Sequence, residues 1–495
     1  MSSSISRYKF SIFFRRFRWL CCQLDALRHC PPRNVRTVLE ELPEALDETY
    51  ERILREINTA NRSHARRLLQ CLTVALRPLR VEELAEVLAI DFNTPVHGGI
   101  PLLNPNWRWA DQHQAVLSTC SSLIVIVDDG DSKLVQFSHF SVREFLTSDR
   151  LASSSKDVSW YHIVLEPAHT ILAQACLGVL LSLDGRVIEG NVNDMPLAGY
   201  AAQYWVDHAQ FENVSSRIPD AMDYFFDADK PHWTAWSRVQ MIDGPRELFT
   251  PNKRVYDASP LYYASLSGFY NVVEHLAAKH PEHTNAVGGR MVTPLVAALR
   301  GRHFQVAELL HQNGADVDVR NPSGDTPLLA ACESEAPDIV QWLLNHGADV
   351  NAQGHQRWAP LHNAADYGYR QAFQMLLGHN ADIRIRTDLG KSPLHVAASP
   401  HVHRDHVDIM QLLLDHGANP NARDNDGSTP LHQSSWWQKG DYASRHGSVE
   451  GTRLLLRHGA IIDAEDNEGR TPLQLALKHG RRDIVTCLKE HGATR

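Results

Sequence analysis

His401, His403, Asp405, His406 and Asp408 place five potential metal donors within eight residues. Imidazole and carboxylate groups at that density suit zinc or copper. A closed site also needs fixed geometry and partners that orient each ring. These residues fall where a repeating pattern is interrupted, in a chain of 28 histidines, so a solvated loop is expected and no metal is assigned. Gly390-Lys391-Ser392 ends like a phosphate-binding loop, in which backbone amides cradle phosphate and lysine neutralises it. Ile385 occupies the position of the first glycine such a loop requires, so no nucleotide is assigned. Leu123–Asp129 ends in acids, as a magnesium-holding strand would, but with no phosphate loop before it the segment reads as the strand of a hairpin. Arg62, Arg66 and Arg67 could meet nucleic acid, yet the net charge of −9 does not indicate a nucleic-acid-seeking protein. Eight cysteines show no C-x-x-C spacing, which reads as reduced, buried thiols, with inert burial favoured for Cys21-Cys22 as well. Neither G-x-S-x-G nor H-E-x-x-H occurs. The expectation is a non-enzymatic chain with no catalytic residue and no cofactor.

What positions these residues is a repeat. Pro260, Pro294, Pro327, Pro360, Pro393, Pro430 and Pro472 each stand within Thr-Pro-Leu or a close variant, and the first four gaps are 34, 33, 33 and 33 residues. A fixed period of that length implies stacked helical units. In the unit Thr326–Asn351, Thr326 can cap a helix and Pro327 suits its first position. Ile339, Val340, Leu343 and Leu344 form the apolar stripe of a second helix, which Gly347 ends. Asp349, Val350 and Asn351 lead into a projecting polar finger. Pro-Leu-His at 360–362, 393–395 and 430–432, with Gly-Ala at 314–315, 347–348, 417–418, 459–460 and 492–493, closely resembles the ankyrin repeat. The resemblance implies a protein-binding solenoid that uses a concave surface of fingers and first helices.

Departures from the repeat mark candidate contacts. Ala359 replaces the capping threonine, and Arg357 and Trp358 stand where a neighbouring finger has Gly324 and Asp325. Longer gaps after Pro393 and Pro430 place insertions near Pro400–Arg404 and Ser434–His446. Exposed arginine and tryptophan dominate interface energetics, so Arg357, Trp358, Arg384, Arg386, Trp436 and Trp437 are the expected partner-binding residues. For Trp436 and Trp437, packing beneath their own insertion is an equal alternative. His362, His395 and His432 recur at the third helical position, where a structural hydrogen-bonding role is expected. Lys478, Arg481, Arg482, Lys489 and Glu490 give the last unit the polar dressing of a terminal cap.

The N-terminal half reads as helices over 15–57, Ala65–Leu76 and Val81–Ala89, then a hairpin of Leu123–Val127 and Leu134–Phe137, then a helix over Phe140–Leu146. Three helices followed by a two-stranded wing suggest a winged helix. Leu42–Leu54, Arg77–Ala85, Cys120–Leu123, Ser138–Leu146, Tyr200–Trp205 and Phe225–Trp236 resemble segments that follow the nucleotide-binding core in fungal NACHT–ankyrin proteins, which are similar to NLR receptors. That resemblance implies a receptor's regulatory and sensor parts without its ATPase.

The expected fold is mainly α. It has a vestigial N-terminus over 1–14, a helical remnant over 15–60, a winged-helix-like domain over 61–152, a helical connector over 153–257 and seven ankyrin repeats over 258–495. The expected function is a protein–protein interaction scaffold. Rival readings are an NLR-like component working with a NACHT ATPase, and a regulator using the winged helix on DNA. No run of 18 apolar residues occurs, so no membrane span is expected. A cytoplasmic setting is expected, with the nucleus an alternative. The basic first 20 residues could mimic an organelle presequence, though an arbitrary start within a longer ancestral domain is preferred.

Overall fold

The computed structural model describes residues 46–96, 99–130, 132–183, 195–227, 236, 258–289, 292–399, 406–435 and 447–494. Expectations for residues 1–45, for the insertion segments 400–405 and 436–446, and so for Trp436, Trp437, His401, His403 and Asp405, lie outside them. The chain divides into two compact units: Met1–Lys279 with Gly288–Arg290, and His280–Val287 with Met291–Arg495.

In the first unit, α1 (Leu46–Glu56) buries Tyr50, Ile53 and Leu54, and Tyr50 Oη bonds Ser141 Oγ at 2.9 Å. Then come α2 (Arg62–Val74), β1 (Leu79–Arg80) and α3 (Val81–Leu88). The expected order fails next. A two-stranded sheet of β2 (Ile90–Val96) and β3 (Ile100–Leu103) intervenes, and a further helix, α4 (Gln112–Cys120), precedes the wing. α4 was illegible because its buried face is only Ala115, Val116, Thr119 and Cys120, with no leucine stripe. The wing pairs β4 (Ile124–Asp129) with β5 (Ser132–Phe137), and β1 adds a third antiparallel strand in the order β1-β5-β4. α5 (Phe140–Leu146) follows as expected.

Charge ties α3 to its surroundings. Arg77 grips the buried Glu83 carboxylate through two bonds of 2.8 and 2.6 Å, and Glu83 also accepts the Arg80 amide at 2.8 Å. Burial alone would raise the Glu83 carboxyl. The Arg77 and Arg80 bonds outweigh it and hold the group below its ordinary range.

The connector is built on α6 (Leu165–Ser182), which packs against α2, β3 and α7 (Ala198–Gln210). α6 is long and apolar enough to cross a membrane by length and composition, contrary to the expectation that no such segment exists. Its many buried side chains, from Ala168 and Leu172 to Val179 and Leu180, read as those of a core helix. At Gly178 an added Cβ would lie 2.1 Å from the Pro101 carbonyl oxygen, so glycine is what lets α6 and β3 touch. A buried relay runs beside it: Leu76 N–H to Tyr200 Oη (3.2 Å), Tyr200 to His208 Nε2 (2.9 Å), and His208 Nδ1 to His169 Nδ1 (2.8 Å). Tyr200 Oη accepts the Leu76 amide, and the directions of the two bonds beyond it follow from which ring nitrogen of each histidine carries the proton. Burial pulls His169 down to about 4 and His208 to about 3, so both are neutral at pH 7.

The first repeat's helices, α9 (Pro260–Leu266) and α10 (Tyr270–Lys279), belong to this first unit. α8 (Pro219–Phe225) packs on α10, and an aromatic cluster of Trp205, Phe225, Phe226, Trp236, Tyr263 and Phe269 fills the space between. Trp205 is 0% exposed and Trp236 is 1% exposed, with the Trp236 indole donating to the Ala202 carbonyl at 3.0 Å.

The second unit is a run of helix pairs: α11 (Pro294–Arg300) with α12 (Phe304–Gln312), α13 (Pro327–Glu333) with α14 (Pro337–Asn345), α15 (Pro360–Tyr367) with α16 (Arg370–Gly378), α17 (Pro393–Ala398) with α18 (Val407–Asp415), α19 (Pro430–Ser435) with α20 (Gly447–Arg457), and α21 (Pro472–Lys478) with α22 (Arg482–Glu490). From α13 on, each first helix packs on the next first helix and each second on the next second, so the pairs share one continuous core. Thr293, Thr326 and Thr471 cap their helices as expected, each hydroxyl accepting the amide three residues on.

Candidate partner-binding surface

Three ladders of polar bonds hold the second unit's fingers in register. The first uses the recurring histidines. His362, His395 and His432 accept at Nδ1 the amide of their own capping residue (Ala359, Ser392, Thr429), and bond at Nε2 the carbonyl of the next unit's finger (Lys391, Ser428, Arg470) at 3.0–3.1 Å. An acceptor at Nδ1 and a donor at Nε2 define one neutral tautomer. The expected structural role is what these contacts provide, and the ring bond persists at Ala359, where the capping hydroxyl is absent.

The second ladder uses one long polar side chain per finger. Arg320 bonds the carbonyls of Gly324 and Gln353; Gln353 bonds those of Arg357 and Arg386; Arg386 bonds those of Gly390 and Arg423; Arg423 bonds that of Glu465. The Arg386 guanidinium is therefore engaged within the stack, at 3.0 and 2.6 Å.

The third ladder uses the column two residues before those positions, continued one unit to either side, and is built from Asn and Asp with one exception. Asn285 accepts the amide of Asp316, Asp318 that of Asp349, Asn351 that of Asp382, Asn421 that of Ile461 and Asp463 that of Thr494. The column reads 285, 318, 351, 384, 421, 463, and at 384 it holds arginine. An arginine side chain has no acceptor. Among the described residues the Asn419 amide has no hydrogen-bond acceptor, and Arg384 is exposed with no side-chain partner. The column follows the proline spacing, so its register is carried by the sequence itself.

One finger breaks the common pattern. Elsewhere its first residue (Asn321, Thr387, Asp424, Asp466) receives backbone amides on its side chain, and a glycine (324, 390, 427, 469) takes the left-handed position. In the finger from Gly354 to Trp358, glycine stands first and Arg357 takes the left-handed position at φ 55°, preceded by Gln356 at φ 52°. For residues other than glycine that conformation costs roughly 1–2 kcal/mol each. Gly354 is fixed by its neighbour, since an added Cβ would meet Asp325 Oδ1 at 2.2 Å. Arg357 is exposed, with its guanidinium on Gln353 Oε1 at 3.1–3.2 Å. Trp358 is half-buried, 5.9 Å from the His362 ring. On the adjacent fingertip Leu389 is 60% exposed, and its neighbours Gly390, Lys391 and Ser392 form the end of that finger and a helix cap.

The winged-helix surface is different in kind. Arg66 lies over the Trp160 ring at 4.5 Å and Arg67 over the Phe92 ring at 4.1 Å, so both guanidiniums are stacked on aromatics of their own unit. The outward residues of α4 are Gln114, Leu117 and Ser118, and the wing exposes Val125, Val127, Asp128 and Asp129 beside Lys133.

Comparison with known proteins matches two segments of the chain. A family model described as ankyrin repeats matches 261–354, 294–387, 361–443 and 440–494. A model described as the GPI inositol-deacylase winged helix domain matches 50–156. The azaphilone pigments biosynthesis cluster protein L of Monascus ruber is 32% identical over 316 residues, which cover 59% of this chain and 65% of that protein. Alpha-latrocrustotoxin-Lt1a of Latrodectus tredecimguttatus is 37% identical over 70 residues, 14% of this chain and 5% of the toxin. The chain thus spans less than two thirds of each of these relatives. Residues 261–494 are ankyrin repeats, and residues 50–156 are a winged helix domain of the GPI inositol-deacylase kind.

Proposed function

We propose that this chain is a non-enzymatic interaction scaffold that docks a protein partner on the fingers between Gly354 and Lys391. Ankyrin repeats point to protein partners in general. The local reading rests on one observation: at Arg384 the chain gives up a hydrogen bond that every other described finger in the column makes, and leaves a guanidinium in solvent. The left-handed Gln356 and Arg357 lie one finger away, so local stability is forgone twice in adjacent units. Features that cost stability without structural return are expected at binding sites. Arg357, Arg384 and Leu389 would make the contact, with Trp358 packing beneath. Arg386 supports the fingers from within.

The test is affinity capture with the wild-type chain and with Arg384→Ala plus Arg357→Ala, followed by quantitative binding of each captured protein. A partner whose affinity drops at least tenfold in the double variant, with the fold intact by circular dichroism, supports the reading. Partners that bind both forms equally overturn it.

A second reading comes from the arrangement of winged helix, connector and repeats, which resembles the tail of NACHT receptors. In that reading the chain is a cytoplasmic signalling or sensor component working with a NACHT ATPase supplied elsewhere. The name of the Monascus relative adds a link to a biosynthetic pathway. DNA binding through the winged helix is disfavoured by the uncharged outward face of α4 and the exposed Asp128 and Asp129 on the wing. Duplex DNA at low salt is expected to leave the chain unshifted, and ATP to be hydrolysed no faster than background.

A further inference from the structure

The turn after the first helix pair differs from every later one. Later second helices end in Gly-Ala, or in Asn380-Ala381, with the first residue of each pair left-handed. The first instead runs into His280-Pro281-Glu282-His283, and Pro281–His283 form a tight 3-10 turn. Proline limits the backbone freedom of this turn. His280 Nδ1 lies 3.2 Å from Glu282 Oε1, and the His280 and His283 rings stack with centroids 5.2 Å apart. One donor atom from each of the three residues lies within 4.8 Å of the others.

Around a four-coordinate zinc, with bonds of about 2.0–2.1 Å, ligand atoms sit roughly 3.3 Å apart. The His280–Glu282 pair already meets that spacing. The half-buried His283 ring stacks on that of His280, and its donor atom lies within 4.8 Å of the other two. We infer that His280, Glu282 and His283 form a binding site for a divalent transition cation, zinc or copper. Two imidazoles and one carboxylate favour these over magnesium or calcium, which take oxygen ligands. Exposure of Glu282 leaves the remaining coordination to water. The site also has a structural consequence: two residues on, Asn285 starts the third ladder, accepting the Asp316 amide at 2.8 Å and donating to the Gly314 carbonyl at 2.9 Å. A bound ion would fix the turn that carries Asn285.

The probe is copper(II) or zinc(II) alone, added to the full chain. Because the chain has 28 histidines, binding is read as a difference between variants. The wild type is expected to bind one more equivalent of zinc by calorimetry than His280→Ala/His283→Ala. At one equivalent of copper, its electron paramagnetic resonance should show two ring nitrogens, falling to one in His283→Ala. A control, His401→Ala/His403→Ala, should keep that equivalent. The inference is overturned if His280→Ala/His283→Ala binds as the wild type does, if the control loses the site instead, or if the wild type binds zinc only near about 1 mM.

Discussion

His395 Nε2 lies 3.1 Å from the carbonyl oxygen of Ser428, one repeat further along, while its Nδ1 takes the amide hydrogen of Ser392. One imidazole thus closes a helix cap and joins two repeats. Replacing His395 by Phe keeps the volume but leaves both backbone groups unpaired. The cost should be about 1–3 kcal/mol, read as a lower urea midpoint with far-UV circular dichroism unchanged in the native baseline.

The same rings make the protein acid-sensitive. Burial draws His362 and His395 down to about 4 from the ordinary 6.5. Between those values the unfolded chain takes up protons that the folded chain refuses. Their contribution is full above pH 6.5 and is lost as the pH falls toward 4. His169 and His208 act in the same direction in the first unit. Urea midpoints should fall from pH 7.5 to pH 5, and the fall should shrink in His395→Phe.

Arg384→Asn should restore the missing rung. An asparagine there can accept the Asn419 amide as Asn351 accepts that of Asp382. A gain of about 0.5–1 kcal/mol is expected, together with weaker partner binding. Loss of stability would show that the fingers at this point are not in ladder register.

Arg357→Gly tests the strained fingertip separately. Glycine adopts the left-handed conformation without steric cost, as Gly324 and Gly390 do in neighbouring fingers. The variant should be more stable by up to about 1 kcal/mol and bind the partner less well. Arg386→Ala should behave in the opposite way: it removes two intra-stack bonds and lowers stability by about 1 kcal/mol.

Trp205→Ala removes the centre of the aromatic cluster that joins the connector to the first repeat. A fully buried tryptophan truncated to alanine costs about 3–5 kcal/mol. Thermal unfolding of the first unit should move down strongly, and the fluorescence of the remaining tryptophans should shift to the red in the native state.

Much of this was written locally in the chain. Thr-Pro-Leu spacing, terminal Gly-Ala and the leucine stripes set the helix pairs of the second unit, because capping, proline and period act within a few residues of one another. The wing was legible for the same reason: two alternating strands flank Asp128–Asp131. Only the tertiary structure decided which polar residues are already engaged. Arg384 and Arg386 look alike in sequence, yet Arg386 holds two carbonyls and Arg384 holds none, since its column calls for an acceptor that arginine lacks. The helix α4, the sheet of β2 and β3 and the Gly178–Pro101 approach were likewise settled by distant contacts. Their residues carry little periodic signal of their own, and it is the neighbours they pack against that give them a conformation.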